Sequence, residues 1–306
     1  MNATNTSAEP LCEDDTNLER SVESQHSMER HGNSFQFSFS NGSSQWRFEC
    51  RLENGGRITS FRLDDNEILV PQTPDGPHGM YGSTFWTAPE NWGWPPPAVI
   101  DEGTYQLVQT GKSAVSIQSD LDPQLNIQVM KKFTIDSNRC GMHVDYTIVN
   151  RGATAQMFAP WEISRVEKTG LTFYPVGNKP INGVTRGDIQ TEMADGIRWY
   201  QHPDVMSDDA KLFDSCAENW IAHTDGKLLF VKEFEPANPV ADGEGEIEIY
   251  ACDGYVEVEE QGSFKTIAPG QSSTWRVNWY LRRLPPHLQT KRPSAKLVNA
   301  VRNVLK

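Results

Sequence analysis

The 306-residue chain is poor in several features that would place it at once. No apolar run approaches the length of a membrane-spanning helix, which argues against a helical membrane protein. Positive charge is scarce: 28 lysines and arginines stand against 41 aspartates and glutamates, a formal net charge of -13. Phosphate backbones and anionic lipid surfaces are bound by basic faces, so neither nucleic acid nor membrane is expected as a partner. The five cysteines, Cys12, Cys50, Cys140, Cys216 and Cys252, lie far apart and form no C-x-x-C pair. An odd, scattered set beside an N-terminus (MNATNTSAEP) without basic or apolar signal regions predicts free thiols in a reducing cytoplasm. The seven histidines show no H-x-H or H-E-x-x-H spacing, so no metal is expected. Asp242-Gly243-Glu244-Gly245-Glu246 lacks the spacing of a calcium loop and reads as a turn.

Helical periodicity is also rare. It is confined to SAKLVNAVRNVLK, where Leu297, Val301, Val304 and Leu305 share one face, Ser294 is the N-cap, and Arg302 and Lys306 complement the C-terminal dipole. Docking on its own domain is the expected fate of this helix, which makes the chain a monomer or weak dimer. Residues 1–33 are polar and without periodicity, and read as a disordered tail. Between them, residues 34–290 carry short alternating runs separated by Gly, Asn, Asp or Ser: FQFSF, WRFECRL, RITSFRL, AVSIQ, GMHVDYTIV, QMFAPWEISRV and STWRVNWYLRRL. Asp225-Gly226 and Asp253-Gly254 sit between alternating runs, the strongest short-range hairpin signal. A dozen or so strands at this spacing predict one large antiparallel β-sandwich closed by residues 291–306 as a helix.

Two stretches carry chemistry. STFWTAPENWGWPPP, residues 83–97, concentrates Phe85, Trp86, Trp92 and Trp94 where Pro95, Pro96 and Pro97 forbid regular structure, and reads as a stiff loop. Its aromatics fit either a cap on the core or the wall of a ligand cleft. In the second stretch, EIEIYACDGYVEVEE, a two-residue turn at Asp253-Gly254 pairs Tyr250 with Glu257 and Glu248 with Glu259. Alternation then puts Ile247, Ile249, Val256 and Val258 on one face and Glu246, Glu248, Tyr250, Tyr255, Glu257, Glu259 and Gln261 on the other. Carboxyls crowded in this way are pushed toward neutral pKa and become usable in proton transfer, or they simply decorate a solvated face.

The order GGRITSF, YTIVN…FAPWEIS and EVEEQGSFKTIAPG, together with W-x-A-P…W-G-W-P-P, resembles the galactose mutarotase-like (aldose 1-epimerase-like) superfamily over roughly residues 45–283. The tryptophan- and proline-rich segment is similar to one in an uncharacterised bacterial branch. The resemblance implies a β-supersandwich whose open concave face holds a sugar or oligosaccharide. It also implies Glu259, in Glu259-Glu260-Gln261, as the base at the anomeric hydroxyl, with Glu257 in reserve. The histidine acid and the early arginine of that family have no counterpart, and Pro160-Trp161-Glu162-Ile163 stands where the histidine would be. Glu162 is then the candidate acid if burial raises its pKa. Trp86, Trp92, Trp94 and Trp161 are candidate platforms for pyranose faces, one or two of the loop tryptophans remaining core, and Glu90 is a candidate hydroxyl acceptor. Arg165, Lys211, His78 and His223 are further polar candidates. The expectation is a cytoplasmic carbohydrate-active protein, an epimerase without cofactor. A non-catalytic sugar-binding module and a glycoside-cleaving enzyme built on Glu162 and Glu259 are the alternatives.

Overall fold

The computed structural model describes residues 26–73, 79–288 and 290–306. Two large antiparallel sheets face each other across the main core. The first has 11 strands and runs His26–His31, Ser34–Asn41, Ser44–Arg51, Ile58–Leu63, Ser83–Ala88, Gln156–Val166, Val256–Gln261, Ile247–Ala251, Ala210–Asp214, with Asn66–Glu67 and Lys265–Ile267 attached to its side. The second has 10, in the order Thr191–Ala194, Ile197–Tyr200, Leu171–Pro175, Trp220–Thr224, Leu228–Phe234, Ser272–Arg283, Gly141–Asn150, Ile127–Asp136, Ala114–Gln118, Gln106–Thr110. Alternation decides what each sheet contributes to the space between them. Phe85, Val166, Val256, Val258, Ile247 and Ile249 point inward from the first, and Val144, Tyr146, Phe230, Val277 and Trp279 from the second. Phe85 stacks on Tyr146 with ring centroids 4.6 Å apart, which joins the sheets at their centre.

The two Asp-Gly hairpins form as the turn chemistry requires, joining Trp220–Thr224 to Leu228–Phe234 and Ile247–Ala251 to Val256–Gln261. The Asn54-Gly55-Gly56 turn is left-handed at all three residues. A Cβ on Gly55 would meet the Asp101 carbonyl oxygen at 2.4 Å, so this close approach to the segment after the aromatic loop is open to glycine alone. The helix spans Ala295–Val304 and lays Leu297, Val298 and Val301 on the far side of the second sheet, against Phe173, Trp199, Trp220 and Val231. Cys50, Cys216 and Cys252 are free thiols. No helix among the described residues is long and apolar enough to cross a membrane.

Two sequence expectations change here. Within the expected tail, His26–His31 is an edge strand paired along its length with Ser34–Asn41, and residues 1–25 lie outside the described residues. Its side chains are largely exposed, so backbone pairing recruits it and no apolar pattern announces it. The aromatic loop begins only at Pro89: STFWTA is a strand buried on both faces, between Ile58–Leu63 and Gln156–Val166. A strand covered on both sides shows no alternation, and its prolines fall after its end.

Candidate functional site

The site grows from the register of three neighbouring strands. Val256–Gln261 pairs with Gln156–Val166 so that Glu257 faces Arg165, Glu259 faces Ile163 and Gln261 faces Trp161. On its other edge the hairpin places Tyr250 opposite Glu257 and Glu248 opposite Glu259, the pairing that the Asp253-Gly254 turn predicts. Trp86 sits opposite Trp161, and Lys211 opposite Tyr250. Paired residues share a face, and this one is turned away from the second sheet.

Glu259 is fully buried and held from two sides: its Oε2 accepts from Trp161 Nε1 at 2.8 Å and from Lys211 Nζ at 3.1 Å. Its Oε1 has no hydrogen-bond partner among the described residues, and neither has Gln261 Oε1. Lys211 also pairs with Glu248 Oε2 at 2.6 Å and lies 4.4 Å over the Trp161 ring. Burial works against its charge, but Glu248 and Glu259 outweigh burial and hold the ammonium above the ordinary lysine pKa. Burial likewise pushes the Glu248 carboxyl well up, against the pull of Lys211. Gln261 Nε2 donates to Glu248 Oε1 at 2.8 Å, so Lys211, Glu248, Glu259 and Gln261 form one connected group. Glu257 binds Arg165 at 2.8 Å; burial raises its carboxyl to about 7, with Arg165 opposing and Glu259 adding.

The tryptophans divide. Trp86 is the hub, with edge contacts to Trp161 at 5.3 Å, Trp92 at 5.9 Å and Trp94 at 6.0 Å, and its Nε1 donates to Asp101. Trp92 is 9% exposed and its Nε1 donates to the Thr87 carbonyl, which makes it a core residue of the loop. Trp94 is 65% exposed and projects from the same cluster. Glu90 stands at the rim, its backbone N–H bonded to Glu244 Oε1. Partial burial raises its carboxyl, opposed by the charge of Lys211.

Other expected residues are elsewhere. Glu162, the expected acid, faces the opposite side of the sheet from Glu259, because it pairs with Glu260 one position along. It is sealed in the core, where Lys232 reaches across from the second sheet to Glu162 at 2.8 Å and Glu260 at 2.6 Å, and Trp279 Nε1 donates to Glu162 at 2.9 Å. The Glu162–Glu259 pair of the glycoside-cleaving alternative is therefore split across the sheet. His223 is buried in the second sheet beside the Thr172 hydroxyl, and burial lowers it to about 4. His78 lies outside the described residues. In the Asp242–Glu246 stretch the acids tie loops together: Asp242 accepts from Asn182, Glu244 from the Glu90 N–H, and Glu246 binds Lys179. Among the described residues no group of three or more His, Cys, Asp or Glu is placed to hold a metal ion. Sequence reasoning missed Lys232, Glu260 and Asp101 as parts of buried networks. Two surface depressions of about 270 and 290 Å³ open elsewhere, beside Pro160 and Trp275 and beside Lys132 and Arg276, and gather none of these groups.

No protein-family model matches the chain, and no curated protein matches it. Solved structures do. The Slr1438 protein of Synechocystis sp. PCC 6803 superposes with a TM-score of 0.55 at 12% identity, over 84% of this chain and 98% of its own. A galactose mutarotase-like protein of Clostridium acetobutylicum gives 0.54 at 10% identity, covering 85% and 99%. A galactose mutarotase-like protein of Lactobacillus casei gives 0.52 at 10% identity, covering 81% and 100%. Likeness at this level of identity speaks for architecture, and the chain has the galactose mutarotase-like fold.

Proposed function

We propose that the protein binds a sugar at the outer face around Glu259 and exchanges its anomers by carboxylate proton transfer. One observation carries the reading. Glu259 is fixed through one oxygen by the Trp161 indole and the Lys211 ammonium, while its other oxygen has no hydrogen-bond partner among the described residues. A buried acceptor without a donor is costly unless something else supplies one, and an anomeric hydroxyl is such a donor. In this reading Glu259 takes the hydroxyl proton. Glu257 replaces Glu162 as the acid, since its carboxyl, raised to about 7, still carries a proton in part at neutral pH and can lend it to the ring oxygen as the C1–O5 bond opens. Reclosure on the other face returns both protons, so no cofactor is consumed. Trp94 offers an exposed ring for the apolar face of the pyranose.

A second reading, sugar binding without catalysis, is favoured by one feature: Glu259, Glu248 and Lys211 are all buried, which restricts access to the base. Saturation-exchange NMR on a panel of free aldoses separates the two. Faster α–β exchange for at least one sugar supports the enzyme. Binding, seen in tryptophan fluorescence, without faster exchange supports the module. A panel that gives neither contradicts both.

A further inference from the structure

Arg165 presents a problem that the proposed chemistry leaves unsolved. It is 1% exposed, and its Nη2 meets Glu257, but its Nε and Nη1 have no hydrogen-bond partner among the described residues. Its neighbour Arg57, equally buried, shows what a satisfied guanidinium looks like: Nε donates to Asn54, Nη1 to Tyr81 and Nη2 to Asp101. Asp101 favours the Arg165 charge only from a distance, as Tyr255 also does, because the hydrogen bonds to its Oδ1 come from Arg57, Thr84 and Trp86. The two guanidiniums are close enough that, after burial, the charge of Arg165 is the main influence lowering Arg57. The region therefore holds two fixed cations, Arg57 and Arg165. Asp101 is bonded to the first, and among the described residues Glu257 is the only acid bonded to the second.

The outer face is thus polarised. Unpaired acceptors, Glu259 Oε1 and Gln261 Oε1, lie at one end, and unpaired donors on Arg165 lie at the other. Glu257 and Glu259 are two positions apart on one strand, a rise of about 6.5 Å, comparable to the reach across a hexose from the anomeric hydroxyl to the substituent beyond C5. The rings of Trp86 and Tyr255, 6.0 and 5.9 Å from the guanidinium carbon, hold the donor in place. A neutral hydroxyl would leave a desolvated cation poorly matched, whereas an oxyanion meets both its charge and its fork of donors.

We propose that Arg165 receives an oxyanion of the ligand, so that the sugar bound here is an acidic one, bearing a carboxylate or phosphate at the end remote from Glu259. This rests on the sugar-binding reading above and names its substrate class. Calorimetric titration of the full chain with matched probes tests it: glucose and galactose, their uronates, their 6-phosphates, and inorganic phosphate alone. The expected result is that an acidic sugar binds at least about tenfold tighter than its neutral parent, the scale of one hydrogen bond between charged groups. The uronate and phosphate arms then tell which oxyanion it is. In Arg165→Gln the ratio of acidic to neutral affinity should fall by a similar factor. Glu257→Gln keeps Arg165 and removes the competing carboxylate. Its affinity for the acidic sugar should rise, and should no longer weaken between about pH 6 and about pH 8, the interval around the titration of Glu257. If Arg165→Gln does not fold, this second variant decides, and an unchanged affinity and pH profile overturn the proposal. Equal binding of acidic and neutral sugars overturns it and leaves the sugar-binding reading standing. Inorganic phosphate binding as tightly as the sugar phosphates also overturns it, because the sugar would then contribute nothing. Binding of no sugar at all overturns both.

Discussion

The Val256–Gln261 strand carries glutamates on both faces, and the fold treats them in opposite ways. On the inner face Glu260 joins Glu162 around Lys232, all three fully buried, with Trp279 and Ser164 donating or accepting beside them. That cluster ties the two sheets together through side chains that no solvent reaches. On the outer face Glu257 and Glu259 each meet a cation, Arg165 and Lys211; carboxylate oxygens without a hydrogen-bond partner among the described residues occur on both faces, but only the outer one also leaves cationic donors over, on Arg165. The contrast lies in what the cations join: Lys232 bridges the two sheets and serves the architecture, whereas Arg165 and Lys211 belong to the same sheet as their carboxylates, on the side proposed here to take a ligand.

The largest effect should come from the inner face. Lys232→Met leaves Glu162 and Glu260 facing each other in the core without their cation, and should cost about 3–5 kcal/mol. Urea unfolding at neutral pH measures it, and a loss below about 1 kcal/mol would remove the architectural role. The aromatic loop gives the next contrast. Trp92→Ala should cost roughly 3 kcal/mol or more, as truncation of a buried aromatic does, and Trp94→Ala should stay within about 0.5 kcal/mol while weakening sugar-induced fluorescence changes. Equal losses in both variants would contradict the division of the two rings.

Glu257 supplies a pH signature. In the folded chain burial keeps its proton up to about 7, whereas the unfolded carboxyl releases it near the ordinary 4.5. Its contribution to stability is therefore complete below about 4.5 and is lost as pH rises to about 7, at a slope of up to about 1.4 kcal/mol per pH unit. Stability curves of wild type and Glu257→Gln should differ in slope across this window and run parallel above it. Parallel curves throughout would show that Glu257 is not held protonated.

The outer face was legible because a turn fixes register: Asp253-Gly254 sets the pairing of Glu248 with Glu259, and alternation does the rest. The same alternation runs from Val256 and Val258 to Glu260, but a charge at a core position breaks the apolar pattern, and its partner Lys232 is in the other sheet. Only the fold brings them together. Glu162 was misread for a related reason, since a motif match places a residue along a strand without saying which face it takes. Ser83–Ala88 and Leu171–Pro175 are buried on both faces and show no period at all, which is why one reads as loop and the other escapes notice. The terminal helix was readable because its apolar stripe is one-sided and docks as drawn.

The central claim is that Glu259 is the proton acceptor of a sugar site. Glu259→Gln preserves the shape and an acceptor oxygen for the Trp161 indole and Lys211, and removes the basicity together with one of the two negative charges that face Lys211. The direct measurement is anomer exchange by saturation-transfer NMR in wild type and Glu259→Gln, on whichever sugar the wild type binds, with fluorescence titration alongside. The account predicts a folded variant that still binds and in which exchange falls to the uncatalysed rate. Exchange at the wild-type rate in a folded Glu259→Gln protein would contradict it.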